Sequence, residues 1–317
     1  MTMDTERHKH VLPRGFHYLE ADAVFKKNRI LSAFIESSKN MFEELVEFPP
    51  VAYWDDFMKA SHIMGDKVFE FKDKKNRHLV LTPDALVHVY NHYLQKNTGR
   101  NVRYSWISPT FRYRHAPVRH FYQIGYSSIN FSPGRDMSEL MACVIQLRNF
   151  VHETTLKEIS LRIVNPALIS EIINSRTSDE GAAAELLAEV RLKKESITLG
   201  DTLSDINLKE DLLELYSASE RNPVRSKRLI RYNGYEKALE FYEAISKEAH
   251  ISCNLELLNP YSAEILSGVG FIIEIEGKKI GDGGIYSSYG STYNKKITGV
   301  ASVCTGINAL SRQIVDQ

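Results

Sequence analysis

The chain has 317 residues, 43% hydrophobic and 25% charged, globular values that exclude long disorder, a collagen-like repeat and a membrane protein. Its 40 Lys and Arg balance its 40 Asp and Glu, so net charge offers no long-range attraction for a polyanion such as tRNA, although a local basic patch stays open. The polar start MTMDTERHKH and the lack of any run of 18 apolar residues point away from secretion and from the membrane, which leaves the cytoplasm as the expected location.

Between Ala21 and Val46 the apolar positions Val24, Phe25, Ile30, Leu31, Phe34, Ile35, Phe42 and Leu45 recur at helical spacing, which predicts one long amphipathic helix. FPPV at 48–51 stops it, because proline lacks the amide that a continuing helix needs, and an extended segment should follow. VFEFKD at 68–73 and HLVLTP at 78–83 read as a hairpin, with a helix starting near Asp84. YSWISPTFRYRH at 104–115 and HFYQIGYSSINF at 120–131 are aromatic and β-branched, and APVR between them predicts a second antiparallel hairpin. Ser138–Val151 is a helix buried over most of its surface, backing that sheet.

Around 165–250 the composition changes to charged helix formers, which predicts a mostly helical insertion. Strand pattern returns at 268–290, with Glu276 and Gly277 as a hairpin tip, and the last segment is a strand running into a helix. This order predicts an α+β fold with an antiparallel sheet flanked by helices, divided as 1–160, a helical insertion at 161–250, and 251–317. Cys143, Cys253 and Cys304 lie far apart with no CxxC pair, so they read as reduced structural residues, and no residue pattern suggests a metal site.

Chemistry concentrates in FRYRHAPVRHFYQIG. Arg112 can fork onto a phosphate and Phe121 can stack on a base, with Arg119 in the loop between their strands. Aromatics at alternate strand positions also pack cores, and an arginine there often lies on a solvated face. Asp84 after Pro83 is equally a helix cap. Asp84 and the Gln123 amide facing one pocket would grip the ammonium group of an amino acid.

These segments resemble class II aminoacyl-tRNA synthetases of the histidyl type. FRYR with RHFYQIG is similar to their motif 2, LPRGFHYLEADA to their opening Pro-x-Gly segment, and the helix ending at FPPV to motif 1. HLVLTPDA is similar to the turn that ends in a substrate-binding acid, here Thr82 to Asp84, and GRDMSEL, with Asp136 and Glu139, to the helix after motif 2. The resemblance covers about 1–150 and 250–317, and implies a synthetase-like fold and pairing of two copies through the 24–51 segment. It assigns Arg112, Arg114, Arg119 and Phe121 to a nucleotide. It assigns Thr82, Asp84, Gln123, Ser127, Tyr261, Glu264, Gly283, Gly284 and Tyr286 to an amino-acid or ligand pocket.

Several positions depart from the family pattern. Arg114 stands where a glutamate orients the adenine, and Ser127 where a glutamate reads imidazole. YSAEILSG at 261–268 puts Tyr261 in place of a catalytic arginine and Ile265 and Leu266 in place of tyrosines, and Ile285 replaces the arginine of Gly-Gly-Arg-Tyr. GINAL puts Asn308 and Ala309 where motif 3 carries the arginine that clamps the γ-phosphate. Losing one such contact costs about 3 kcal/mol, roughly 100-fold in rate. Gln317 follows motif 3 directly, which leaves no anticodon-binding domain after it, so no tRNA charging is expected. The chain resembles one branch of the family, the regulatory subunits of ATP phosphoribosyltransferase in histidine biosynthesis, which lack the anticodon domain and often carry alanine in place of the motif 3 arginine, as in TGINAL here. The first reading is therefore a non-catalytic homodimer that senses an amino acid or nucleotide and supports a short catalytic partner subunit. The alternative is an adenylate-forming enzyme using ATP with Mg on a non-histidine amino or carboxylic acid, with Arg112 as its catalytic group.

Overall fold

The fold was obtained as a computed structural model, which describes residues 12–39, 44–60, 68–96, 99–113, 118–132, 134–192, 206–220, 226–257, 268–287 and 293–314. The strands are β1 (Glu44–Glu47), β2 (Val51–Tyr53), β3 (Phe69–Lys72), β4 (His78–Leu81), β5 (Val102–Phe111), β6 (His120–Ile129), β7 (Ser160–Val164), β8 (Ser252–Leu255), β9 (Gly270–Ile275), β10 (Lys278–Ile285) and β11 (Val300–Gly306). The helices are α1 (Ala21–Ser38), α2 (Trp54–Ala60), α3 (Leu86–Lys96), α4 (Asp136–Thr155), α5 (Pro166–Asn174), α6 (Glu180–Leu192), α7 (Ile206–Glu220), α8 (Asn233–Glu248) and α9 (Ile307–Ser311). The architecture is α+β, as the element order predicts.

Eight strands form one sheet in the order β1-β5-β6-β11-β10-β9-β7-β8, and β2-β4-β3 form a smaller one. Only the pairs at the two ends of the large sheet, β1 with β5 and β7 with β8, are parallel. Side chains alternate across the sheet, so each strand feeds two cores. On one face Ile107, Ile124 and Tyr126 pack with α1 and α4 through Phe34, Leu147 and Phe150. On the other, Tyr104, Trp106 and Ile129 pack with Phe48 from the β1–β2 connection and with Phe57, Val80, Val87 and Tyr90 of the small sheet and its helices.

The turns follow their residues. Glu276 and Gly277 both have positive φ, 51° and 73°, the two-residue connection whose twist suits a tight hairpin. In the β3–β4 hairpin the Asp73 carboxylate accepts the amides of Lys75 and Arg77, and Asn76 takes the left-handed conformation. Asp84 Oδ1 accepts the Leu86 amide at 2.7 Å, so the acid does cap α3, which starts at Leu86.

Two expectations need correction. The first helix ends at Ser38, and Leu45 and Val46 belong to strand β1, while Phe42 lies outside the described residues. ELVE alternates half-buried and exposed positions along the sheet edge, a period of two that helical counting across 42–46 hides. Second, β7 and β8 are strands of the main sheet, so the sheet runs across the 160/161 boundary and the helices α5–α8 form the crossover between two adjacent parallel strands. Leu168, Ile172, Leu212, Tyr235 and Phe241 from these helices share one core with Leu161, Phe271 and Ile273 of the sheet.

The crossover has its own polar centre. Asp211 is fully buried and accepts hydrogen bonds from Arg228, Arg176 (2.5 Å), Arg231 (3.0 Å) and the Tyr232 hydroxyl (2.8 Å). Burial would raise its carboxyl, but the bonds from Arg228, Arg176 and Tyr232 outweigh it and bring the pKa down to about 2.

Candidate ligand site

The register of the large sheet sets out a row of side chains on its small-sheet face. Trp106 pairs with Gly125, Gly125 with Cys304, and Cys304 with Asp282, so β5, β6, β11 and β10 contribute one residue each. One row further along, Tyr104, Ser127, Ser302 and Gly284 are aligned, and on the other side Gln123 lies opposite Ser108 and Gly306. Tyr286 follows the end of β10, and Arg112 follows the end of β5.

Above this row lie two chambers. The inner one, of about 40 Å³, is lined by Asp84, Arg112, Gln123, Asp282, Tyr286 and Cys304, with Trp106 and Ser302 at its back. The outer one, of about 350 Å³, shares Arg112, Gln123, Asp282 and Cys304, and adds Phe121, Lys279, Asn308, Ala309 and Arg312.

Each polar group is held in place. Arg112 Nε donates to the Pro83 carbonyl at 2.9 Å, and its guanidinium lies 5.7 Å from the Phe121 ring centre. The Thr110 hydroxyl donates to Gln123 Oε1 at 3.0 Å, which turns the amide NH2 of Gln123 toward Cys304 Sγ at 3.5 Å. Sequence reasoning expects that amide to hold an ammonium, but the group it presents is a donor, which suits a carboxylate. Burial pushes the Asp84 carboxyl above its ordinary range; Arg112 and the Leu86 amide pull it back only in part, and Asp282 adds to the rise. Asp282 is also disfavoured by burial, but Lys279 at 2.7 Å and Arg112 outweigh that and hold it low. Burial, and then the two aspartates, raises Tyr286 and Cys304 well above their usual values, so both stay neutral.

Of the sequence-predicted pocket residues, the fold thus brings together Asp84, Arg112, Phe121, Gln123 and Tyr286. Ser127 is buried behind Trp106, whose indole Nε1 donates to Ser127 Oγ at 2.8 Å, and Ser127 in turn meets Ser302 at 2.7 Å. Thr82 is buried against His88 at 2.9 Å, and there burial lowers the imidazole to about 4. Arg119 packs over Tyr113 at 4.2 Å and against Gly15. Gly283 and Gly284 are strand residues, and a Cβ at Gly283 would meet the Ser302 carbonyl at 2.7 Å, so its glycine serves strand packing. Asp136 accepts from Ser287, and fully buried Glu139 pairs with Arg103 and Arg135. Arg114, Tyr261, Glu264, Ile265 and Leu266 lie outside the described residues.

Sequence reasoning does not single out Trp106, Asp282, Lys279 or Arg312. Trp106 reads as a core aromatic, and the others read as surface charges. Strand register, which is non-local, brings Trp106, Lys279 and Asp282 to one face, and the short helix after β11 carries Arg312 to the outer chamber. Among the described residues no group of three His, Cys, Asp or Glu is arranged to hold a metal ion.

The family profile of histidyl-tRNA synthetase matches residues 25–307. An ATP phosphoribosyltransferase regulatory subunit from Ruminiclostridium cellulolyticum is 27% identical over 163 residues, which are 50% of this chain and 38% of that protein. The chain therefore covers well under two thirds of that relative's length. An ATP phosphoribosyltransferase regulatory subunit/histidyl-tRNA synthetase from Bacillus halodurans superposes with a TM-score of 0.80 at 16% identity, covering 98% of this chain and 85% of that one. The ATP phosphoribosyltransferase (HisG:HisZ) complex from Thermotoga maritima contains a chain with a TM-score of 0.65 at 14% identity, covering 89% of this chain and 97% of that one.

Proposed function

The chain belongs to the histidyl-tRNA synthetase family, and from that premise we propose that it is a regulatory subunit of ATP phosphoribosyltransferase rather than a tRNA-charging enzyme. One observation carries the reading: the cleft keeps the groups that hold a ligand, Arg112, Asp84 and Gln123, while Asn308 and Ala309 form the wall where the family's motif 3 arginine would stand. Neither side chain brings a charge to a γ-phosphate. Binding is retained and phosphate activation is not, a combination that suits sensing. The proposed partner is a short catalytic ATP phosphoribosyltransferase chain, and the structural neighbour from Thermotoga maritima is itself a HisG:HisZ complex; the proposed working place is the cytoplasm.

The subunit pairs with a second copy through its first part. Tyr18, Leu19, Phe25, Ile35, Leu45 and Tyr53 are exposed apolar residues gathered between 18 and 53, and β1 is an open edge of the large sheet. Light scattering at micromolar concentration checks this; a monomer counts against it.

The test of function is reconstitution. Adding the purified chain to a short catalytic subunit should give co-elution and raise its phosphoribosyl transfer at least tenfold. Co-elution without activation, or neither, rejects the reading. A second reading, adenylate formation on another amino or carboxylic acid, is favoured by Arg112, Lys279 and Arg312 around the outer chamber of about 350 Å³. Amino-acid-dependent pyrophosphate exchange that Arg112→Ala abolishes would replace the first reading with this one. Under the first reading no standard amino acid supports exchange.

A further inference from the structure

The two strands that lead to Arg112 and Phe121 run past the rest of their sheet. β5 and β6 pair from Val102 with Ile129 to Phe111 with His120, whereas β11 accompanies β6 only between Gln123 and Ile129. A hairpin end with fewer strand neighbours opens more readily than the centre of a sheet. Here three backbone bonds fix it. The Phe111 amide donates to the Thr82 carbonyl at 2.9 Å, the Arg112 amide to the Arg119 carbonyl at 2.9 Å, and the Arg119 amide to the carbonyl of Gly15 at 2.9 Å.

Gly15 belongs to no element of the sheet. It lies in a turn before α1, closed by the Phe16 amide on the Pro13 carbonyl at 3.0 Å, and its φ of +86° suits glycine and strains a residue with a Cβ. Contact adds a second requirement. A Cβ at this position would fall 2.4 Å from Arg119 Cγ and 2.6 Å from Cδ, in the stem of that side chain rather than its tip. Arg119 is buried, with its guanidinium over the Tyr113 ring at 4.2 Å, so the stem has little room to retreat. Phe16 seats the turn: its ring stacks on His120 at 6.5 Å and meets Phe69 edge-on at 5.8 Å, while His120 stacks on Phe111 at 4.6 Å and Phe69 meets Tyr113 at 5.3 Å.

We propose that Gly15 is a positioning residue for the cleft: its carbonyl and its missing Cβ lock Arg119, and the Arg119 backbone in turn locks Arg112 where it lines both chambers. The route is short. Arg119 accepts the Arg112 amide, and Arg112 Nε is tied to the Pro83 carbonyl at 2.9 Å, so the backbone and the side chain of Arg112 are each fixed by one bond. Phe121 follows Arg119 by two residues and shares its placement with Arg112 on the wall of the outer chamber. The inference rests on the reading of this cleft as a ligand site, and adds to it a segment remote in sequence that sets the geometry of the ligand groups.

Residue-resolved amide hydrogen exchange on the full chain tests the clamp. Gly15→Ala should speed exchange at the Arg112 and Arg119 amides at least tenfold and Phe16→Ala at least threefold, with Ile124 to Ile129 and α4 unchanged. In an Arg119→Ala background, which removes Cγ and Cδ, the effect of Gly15→Ala at the Arg112 amide should fall at least threefold. Unchanged exchange at Arg112 and Arg119, a rise that spreads equally through β6 and α4, or full additivity with Arg119→Ala overturns the proposal. Where Gly15→Ala does not fold, Phe16→Ala decides alone. The ligand reading is scored separately, with ATP as the probe because Arg112 and Phe121 line the outer chamber together. ATP should bind the unmodified chain, and Gly15→Ala should weaken it at least tenfold. No binding to the unmodified chain rules a nucleotide out of the cleft and leaves the clamp to be decided by exchange; faster exchange with unchanged ATP affinity refutes the positioning role.

Discussion

In the helical crossover a single carboxylate, Asp211, has three arginines and a tyrosine hydroxyl on it. In the cleft two carboxylates, Asp84 and Asp282, have Arg112 between the chambers and Lys279 on the outer side, and Asp84 is pushed up while Asp211 is pulled down. Asp211 is fully buried, whereas Asp84 is half-buried and the Asp282 side chain is 48% exposed. The crossover has converted its charge into structure, since every oxygen of Asp211 is bonded and its ionised form is the favoured one. In the cleft Asp282 is satisfied as well, by Lys279 and Cys304, but of the Asp84 oxygens only Oδ1 has a hydrogen-bond partner among the described residues, and burial outweighs Arg112 there. The satisfaction of a buried charge thus separates a structural latch from a binding site more clearly than its residue types do.

The comparison breaks most visibly at Asp211. Asp211→Ala should leave three arginines without their acceptor and cost about 3 kcal/mol in a denaturant melt. A loss under 1 kcal/mol would show that the latch holds nothing. The same group predicts a pH effect: because its folded pKa is depressed to about 2 from an ordinary 3.8, its contribution is complete above pH 4 and is lost as pH falls through that window. In Asp211→Asn the acid limb of the stability curve should flatten.

At Asp84 the sign reverses. Its folded pKa is raised, so the folded state binds the proton more tightly, and ionisation costs stability as pH rises above the ordinary aspartate value. Asp84→Asn keeps an acceptor for the Leu86 amide and removes the charge, so it should stabilise the ligand-free chain by about 1 kcal/mol at pH 8 and by less at pH 4. Thermal melts at the two pH values check this; destabilisation at pH 8 would mean that Arg112 already compensates the acid. The smallest effect is the control. Glu36 and Lys39 are paired at 2.7 Å on an exposed turn of α1, and Glu36→Ala should change stability by under about 0.5 kcal/mol. A larger loss would show that pairing, rather than burial, sets the weight of these contacts.

How far such contrasts are legible before folding depends on their range. The Glu276–Gly277 turn is readable because Gly277 takes positive φ without steric cost, and the α3 cap because Asp84 bonds an amide two residues on. Strand β7 is not, since Arg162 sits at its centre and pairs with Glu256 and Glu274 from neighbouring strands, which makes a buried strand look like the start of the charged helices that follow. The resemblance to the synthetases supplied the association of Asp84, Arg112, Phe121 and Gln123. It could not supply Trp106, because nothing local separates an indole that packs a core from one that also closes a chamber.

The parallel pair of β7 and β8 has a consequence for the order in which the chain assembles. Val164 ends one strand and Ser252 begins its neighbour, so about 90 residues must be gathered before the edge of the sheet can close, an entropic cost of about 4 kcal/mol for a flexible loop of that length. During synthesis β7 leaves the ribosome several seconds before β8 exists, at ordinary elongation rates. The Asp211 cluster joins α7 to Arg176 after α5 and to Arg228, Arg231 and Tyr232 before α8, contacts that shorten this loop wherever they form ahead of the β7–β8 pairing. Asp211→Ala is accordingly expected to slow refolding as well as to lower stability, which stopped-flow refolding checks.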